Sequence, residues 1–143
     1  MSDMFVEKFR GLVPQYLEEP WQEADGIEWA DLEAVFAELK ITVPLALREF
    51  LHALGNCEDI MEAYYYFWDP EEFEIQDGYL LFLEDEDENY TWGMLADQAD
   101  VPDPIVWRRN NATGEWVNEE GTFSEFVFDM LEWVFTEVLS EDD

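Results

Sequence analysis

Between Tyr79 and Met94 the chain reads Tyr-Leu-Leu-Phe-Leu, then five consecutive acids, then Asn-Tyr-Thr-Trp-Gly-Met. Apolar runs on either side of a short polar connection are the pattern of a β-hairpin with buried strands. Residues 79–83 and 90–94 are therefore expected as paired strands. The tip between them would hold Glu84, Asp85, Glu86, Asp87 and Glu88 together at one point. A concentrated charge on an element anchored in the core points to recognition more than to catalysis.

The rest of the composition narrows the class. A chain of 143 residues is long enough to bury a core without disulfides or metals, and one domain is expected over residues 1–143. Hydrophobic residues make up 48% and aromatics 17%, which separates the chain from a disordered acidic tail. Against that core stand 37 acids and 6 Lys and Arg, a net charge of -31. Nucleic acid and anionic membrane surfaces would be repelled, so neither is expected as a partner; basic proteins would be attracted. Adaptation of the whole surface to a salty cytoplasm would produce the same sign of charge without any partner.

One cysteine, Cys57, excludes an internal disulfide framework and fits a reducing compartment. The first residues show no charged-then-apolar signal pattern, and no apolar run approaches the ~20 residues of a membrane span. The expected location is cytoplasmic. Asn111-Ala112-Thr113 matches a glycosylation sequon and is read as a turn.

In chain order, residues 3–17 are expected to form a short amphipathic helix on Phe5, Phe9 and Leu12, with Ser2 as N-cap and Pro14 weakening its second half. A turn-rich connection at 20–26 leads to a helix over 27–40, with Leu32, Val35, Phe36 and Leu39 on one face. The next helix, 44–55, opens on Pro44, carries Leu47, Phe50, Leu51 and Leu54, and closes on Gly55 in the left-handed region. Strands follow at 64–68 and 73–75, the latter ended by the Asp77-Gly78 turn. After the hairpin, 95–104 reads as a loop, and 105–109 and 115–118 as two further strands. Thr122 and Glu125 form a capping box for a last helix on Phe123, Phe126, Val127, Met130, Val134 and Val138, running to Leu139. Residues 140–143 are expected to fray. Helices, then a strand meander, then a closing helix make this α+β: a single mixed, largely antiparallel sheet flanked by N-terminal helices and a long C-terminal helix.

The residues of a nucleophilic enzyme are hard to assemble here. His52 lies on the 44–55 helix, where a surface or satisfied structural histidine is expected. Cys57 sits beside Glu58 and Asp59, which disfavour its thiolate. No serine stands in a Gly-x-Ser-x-Gly setting, and the seven glycines form no phosphate-binding loop. Paired carboxylates carry no information among 37 acids. Asp85, Asp87 and Asn89 match the first three ligand positions of an EF-hand loop, but Tyr90 replaces its turn glycine and Ala96 its bidentate glutamate. No catalytic residue, metal or cofactor is therefore expected. Trp21, Trp92, Trp107 and Trp116 stand near charges, and Arg108-Arg109 is expected to pair internally with nearby acids.

Several of these segments resemble the SUKH superfamily, which includes bacterial immunity proteins and yeast regulators of cell-wall synthesis. Ile41-Thr-Val-Pro44, Phe50-Leu51 and Leu54-Gly55-Asn56 are similar to its opening, with Gly-Asn in place of the usual Asn-Gly. Asp77-Gly-Tyr-Leu-Leu-Phe-Leu-Glu-Asp85 resembles its central strand, and Tyr90-Thr-Trp-Gly93 the partner strand. Asp103-Pro-Ile-Val-Trp107 and Thr122-Phe-Ser-Glu-Phe126 resemble its late strand and final helix. The resemblance spans about residues 29–133. It implies a mixed sheet flanked by helices, no catalytic residues, and a bacterial protein that binds and neutralises a cognate toxin, often a basic nuclease.

The leading expectation is then a non-catalytic acidic protein that docks acids into the basic site of a toxin domain. Glu84, Asp85, Glu86, Asp87 and Glu88 with Trp92 are the expected contact residues. The alternative is a nucleic-acid mimic that blocks DNA- or RNA-binding proteins in general.

Overall fold

The computed structural model describes residues 5–138. In place of one N-terminal helix there are two short ones, α1 (Val6–Arg10) and α2 (Leu12–Tyr16), meeting at Gly11. Pro14 is the cause: it has no N–H to donate to the Arg10 carbonyl, so the ladder loses the bond that would join the two pieces. The entry to α1 is held from elsewhere, by the fully buried Glu49, whose Oε1 accepts the Phe5 N–H at 2.6 Å. The expected Ser2 cap lies outside the described residues.

Helix α3 (Trp29–Leu39) buries Leu32 and Phe36 and ends on Lys40 at φ 59°. Helix α4 (Leu45–Leu54) follows Pro44 and buries Leu47, Phe50, Leu51 and Leu54 completely. Gly55 is not left-handed as expected; its φ of −58° and ψ of −21° are right-handed. Space is what requires glycine there, since a Cβ would lie 2.4 Å from Ile27 Cδ1 and 2.6 Å from the Leu51 carbonyl oxygen. The chain continues through Cys57 into a single helical turn, α5 (Glu58–Met61).

The strands are β1 (Tyr66–Phe67), β2 (Glu74–Gln76), β3 (Tyr79–Glu84), β4 (Tyr90–Leu95), β5 (Ile105–Asn110) and β6 (Trp116–Thr122). The aromatic run 64–68 yields only two strand residues. Asp77 and Gly78, at φ 55° and 85°, make the two-residue turn between β2 and β3 whose twist suits a hairpin. β1 and β2 share one edge of β3, and β3, β4, β5 and β6 then follow in sequence order. Every pairing is antiparallel. The architecture is the α+β arrangement expected from the order of elements.

The sheet is irregular in two places. In β3, Leu81 pairs with Gly93 and Leu83 with Trp92, so one residue bulges at Phe82. In β6, Asn118 pairs with Trp107 and Thr122 with Ile105, which leaves Glu119, Glu120 and Gly121 in a wide bulge with Glu120 at φ 62°. Such bulges twist a strand and re-aim its side chains.

Helix α6 (Phe123–Trp133) leaves β6 directly and continues as a π-helical turn, Val134–Val138. Its capping box is formed: Glu125 Oε1 accepts the Thr122 N–H at 3.0 Å, and Thr122 Oγ1 accepts the Glu125 N–H at 3.5 Å. Asp103 adds a second cap, accepting from Ser124 N–H at 2.9 Å and Ser124 Oγ at 2.6 Å. That contact, with Ala46 N–H donating to the Pro102 carbonyl at 2.8 Å, pins the loop 95–104 between α4 and α6. The expected Leu139 end and residues 140–143 lie outside the described residues.

The core forms where α1, α4 and α6 meet one face of the sheet. Phe9, Phe50, Phe82 and Phe123 are all fully buried. Their rings meet edge-on, with centroids 5.2 Å apart for Phe9–Phe50, 5.7 Å for Phe50–Phe123 and 5.3 Å for Phe82–Phe123. Burial of each is worth about 1.5–3 kcal/mol, which makes this quartet the main link between sheet and helices. Among the described residues no helix is long and apolar enough to cross a membrane.

Candidate partner-binding groove

The five acids of the hairpin tip are not equivalent. Asp85 turns inward, and its Oδ1 accepts the N–H of Asn89 at 2.7 Å and of Tyr90 at 3.1 Å. A side-chain acceptor oxygen is needed there to hold the turn, much as a helix cap holds orphan donors. Glu84 is half-buried at the end of β3. Desolvation, followed by the nearby Glu88, raises its carboxyl above the ordinary range; the Trp68 indole N–H opposes this from outside hydrogen-bonding geometry. Glu88 adopts φ 57° and its carbonyl accepts Asn111 Nδ2 at 2.7 Å, which ties the tip to the β5–β6 loop. The side chains of Glu86, Asp87 and Glu88 are exposed.

Trp92 is not at the surface beside these acids. Its ring is 3% exposed and packs with Tyr65 at 4.8 Å and Phe126 at 6.2 Å. The reason is parity. On β4, Tyr90, Trp92 and Met94 face the helices, while Thr91 and Gly93 face away with Tyr79 and Leu81. The indole N–H is satisfied by Glu119 Oε2 at 2.7 Å, an acid presented by the β6 bulge.

Above Trp92 lies a groove between the sheet and α6, with a volume of about 440 Å³. Tyr65, Trp92 and Phe126 line it, and Glu119, Glu120, Glu125 and Asp129 contribute four carboxylates. A narrower cleft of about 220 Å³ shares Tyr65, Trp92 and Arg108 with it and reaches Asp85, Glu86 and Asp87. Three of the five tip acids and Trp92 thus border this cleft, which adjoins the groove at Tyr65, Trp92 and Arg108. Glu84 and Glu88 do not border it.

The electrostatics follow from that arrangement. The phenol of Tyr65 is pushed up by burial first, then by Tyr64, Asp85 and Glu119, with Arg108 acting against them. Arg108 is the one cation lining the groove. It does not pair with an acid as expected; its guanidinium lies 4.8 Å above the Tyr90 ring. Arg109, on the opposite face, bonds Gln76 and Asn111 and lies 5.5 Å from the Trp116 ring. Among the described residues neither arginine forms an ion pair with a carboxylate. Ring faces attract guanidinium without the full desolvation of a buried ion pair, which explains why the rings hold them.

The two residues suited to nucleophilic chemistry are occupied elsewhere. His52 Nδ1 is 2.9 Å from the Ile27 carbonyl oxygen, and the ring stacks on Trp29 at 4.2 Å. Cys57 is buried and its thiol is raised, mainly by burial. Among the described residues no three His, Cys, Asp or Glu side chains converge to hold a metal ion.

Glu119, Glu120, Glu125, Asp129 and Tyr65 were not singled out from the sequence as site residues. The available signal was Asn118-Glu-Glu-Gly121, a polar break with a glycine after a strand. No protein-family model matches this chain, and no curated protein matches it as a relative.

Proposed function

We propose that this protein is a non-catalytic, cytoplasmic binding module that captures a basic protein. In keeping with its SUKH-like motifs, we read it as an immunity protein that neutralises a cognate toxin domain. The observation that carries the reading is the convergence of acids around the groove and the cleft adjoining it. Asp85, Glu86 and Asp87 come from the hairpin, Glu119 and Glu120 from the β6 bulge, and Glu125 and Asp129 from α6. Rings and acids held on strands and a capped helix lose little entropy when a partner binds, and complementary charge speeds encounter.

The test is to co-express this chain with candidate toxin domains, taken first from neighbouring genes, and to measure growth and complex formation. Rescue by the native chain, weakened when Glu86→Gln and Asp87→Asn are combined, supports the reading. Capture of several unrelated nucleic-acid-binding proteins, with no single toxin partner, would replace it with nucleic-acid mimicry.

A further inference from the structure

Resting on that reading, we infer that the groove between β4–β6 and α6 receives an arginine side chain of the basic partner, its guanidinium laid against Tyr65 and Phe126, which cover Trp92, and bounded by Glu120 and Asp129. The chemistry of the lining selects this occupant. A planar, weakly hydrated guanidinium stacks on rings while its N–H edges meet carboxylates, whereas an ammonium keeps its water and lacks a face to stack. A guanidinium already rests on a ring next to the groove, since Arg108, which lines both depressions, lies over Tyr90 of the smaller cleft without an ion pair. Glu119 is committed to Trp92 and Glu125 to the α6 cap, but Glu120 and Asp129 carry no side-chain hydrogen bond or ion pair among the described residues. Trp133 of the groove and Tyr64 of the adjoining cleft are 42% and 44% exposed and meet edge-on at 5.4 Å. Large rings left in water beside unpaired acids are the composition of an anchor point.

The test uses the full chain alone, labelled with nitrogen-15, and titrates it with N-acetyl-arginine amide, with the lysine and citrulline counterparts in parallel. The indole N–H signals of Trp92 and Trp133 are expected to move with arginine, at an affinity at least about threefold above lysine, while uncharged citrulline leaves them in place. Combining Glu120→Gln with Asp129→Asn, both exposed, should weaken arginine about fivefold with the fold intact, at the scale of two exposed ion pairs. Arg108→Gln should strengthen it, by removing the resident cation. Equal response to lysine, shifts confined to the hairpin tip, or indifference to the double substitution would each overturn the inference. No toxin enters this experiment, so its failure is distinct from failure of the functional reading. A partner that is captured and neutralised while arginine leaves Trp92 unmoved would sink the groove alone.

Discussion

Glu119 on the edge strand β6 accepts the indole N–H of Trp92 on β4 at 2.7 Å, across the intervening strand β5. The contact closes the floor of the groove and satisfies a donor on a ring that is 3% exposed. Removing the acceptor would leave that donor buried and unpaired. Glu119→Ala should therefore cost about 1–3 kcal/mol, and Glu119→Gln, which keeps a side-chain oxygen, clearly less. Urea unfolding of both variants, with Trp92→Phe as the partner in a double-mutant cycle, measures the term. Equal losses for Ala and Gln would show that charge, not the hydrogen bond, matters.

The tip should divide into a structural acid and recognition acids. Asp85→Ala removes the acceptor for two backbone N–H groups and should cost about 1 kcal/mol, while Asp85→Asn retains the oxygen and most of the stability. Glu86→Gln with Asp87→Asn should stay within about 0.5 kcal/mol of the native chain, as exposed substitutions do. With a partner in hand, only the latter pair should slow association while leaving unfolding unchanged. Stopped-flow association across a salt series separates the two roles.

Two glycines should fail for different reasons. Gly55→Ala forces a methyl into Ile27 and the Leu51 carbonyl, an overpacking cost of about 1–3 kcal/mol. Gly114→Ala meets open space but must hold φ 77°, which costs about 1 kcal/mol. Trimming the neighbour, as in Ile27→Val combined with Gly55→Ala, should recover part of the first loss. If Ile27→Val recovers nothing, the contact with Ile27 is not the cause and the Leu51 carbonyl is.

Glu84 gives a pH signature. Its folded carboxyl binds a proton more tightly than in the unfolded chain, so ionising it costs folding free energy. The cost is absent below the ordinary carboxylate range and grows as pH rises through the raised value. Glu84→Gln should therefore stabilise at neutral pH by about 0.5 kcal/mol, a figure kept small for solvent screening. The gain should shrink toward about pH 4, where the native carboxyl is protonated. Denaturant titrations at both pH values decide; a gain constant with pH would remove the carboxyl charge as its source.

A net charge of -31 on 143 residues should also make stability depend on salt. Raising ionic strength from about 0.01 M to about 0.15 M shortens the screening length from about 30 Å to about 8 Å, and self-repulsion falls with it. The midpoint of thermal unfolding is expected to rise over that range. An unchanged midpoint would mean that the acids are already spaced beyond effective repulsion in the folded chain.

Much of the fold was legible because its signals are local. The Tyr79–Glu84 and Tyr90–Leu95 strands, the Asp77-Gly78 turn and the Thr122–Glu125 capping box each announce themselves within a few residues. Errors arose where a local signal had a non-local meaning. Gly55 looks like a helix terminator from its neighbours, but its reason is Ile27, far back in the chain. Tyr64 and Tyr65 read as strand residues, yet the sheet takes only Tyr66 and Phe67, and Tyr65 goes to the groove.

By itself the sequence determined the sign of the charge, the α+β order of elements and the hairpin at residues 79–94, since composition and periodicity do not depend on what packs where. The tertiary structure decided which way Trp92 faces, because strand parity gives two faces and only the covering helices make one of them the core. It also decided which acids lie together. Glu119 and Glu120 reach the groove through a bulge in β6 and Glu125 and Asp129 through the pitch of α6, while the hairpin turn brings Asp85, Glu86 and Asp87 to the adjoining cleft. Those residues lie as much as 44 positions apart in sequence, from Asp85 to Asp129, and only folding places them around two adjoining depressions that share Tyr65, Trp92 and Arg108.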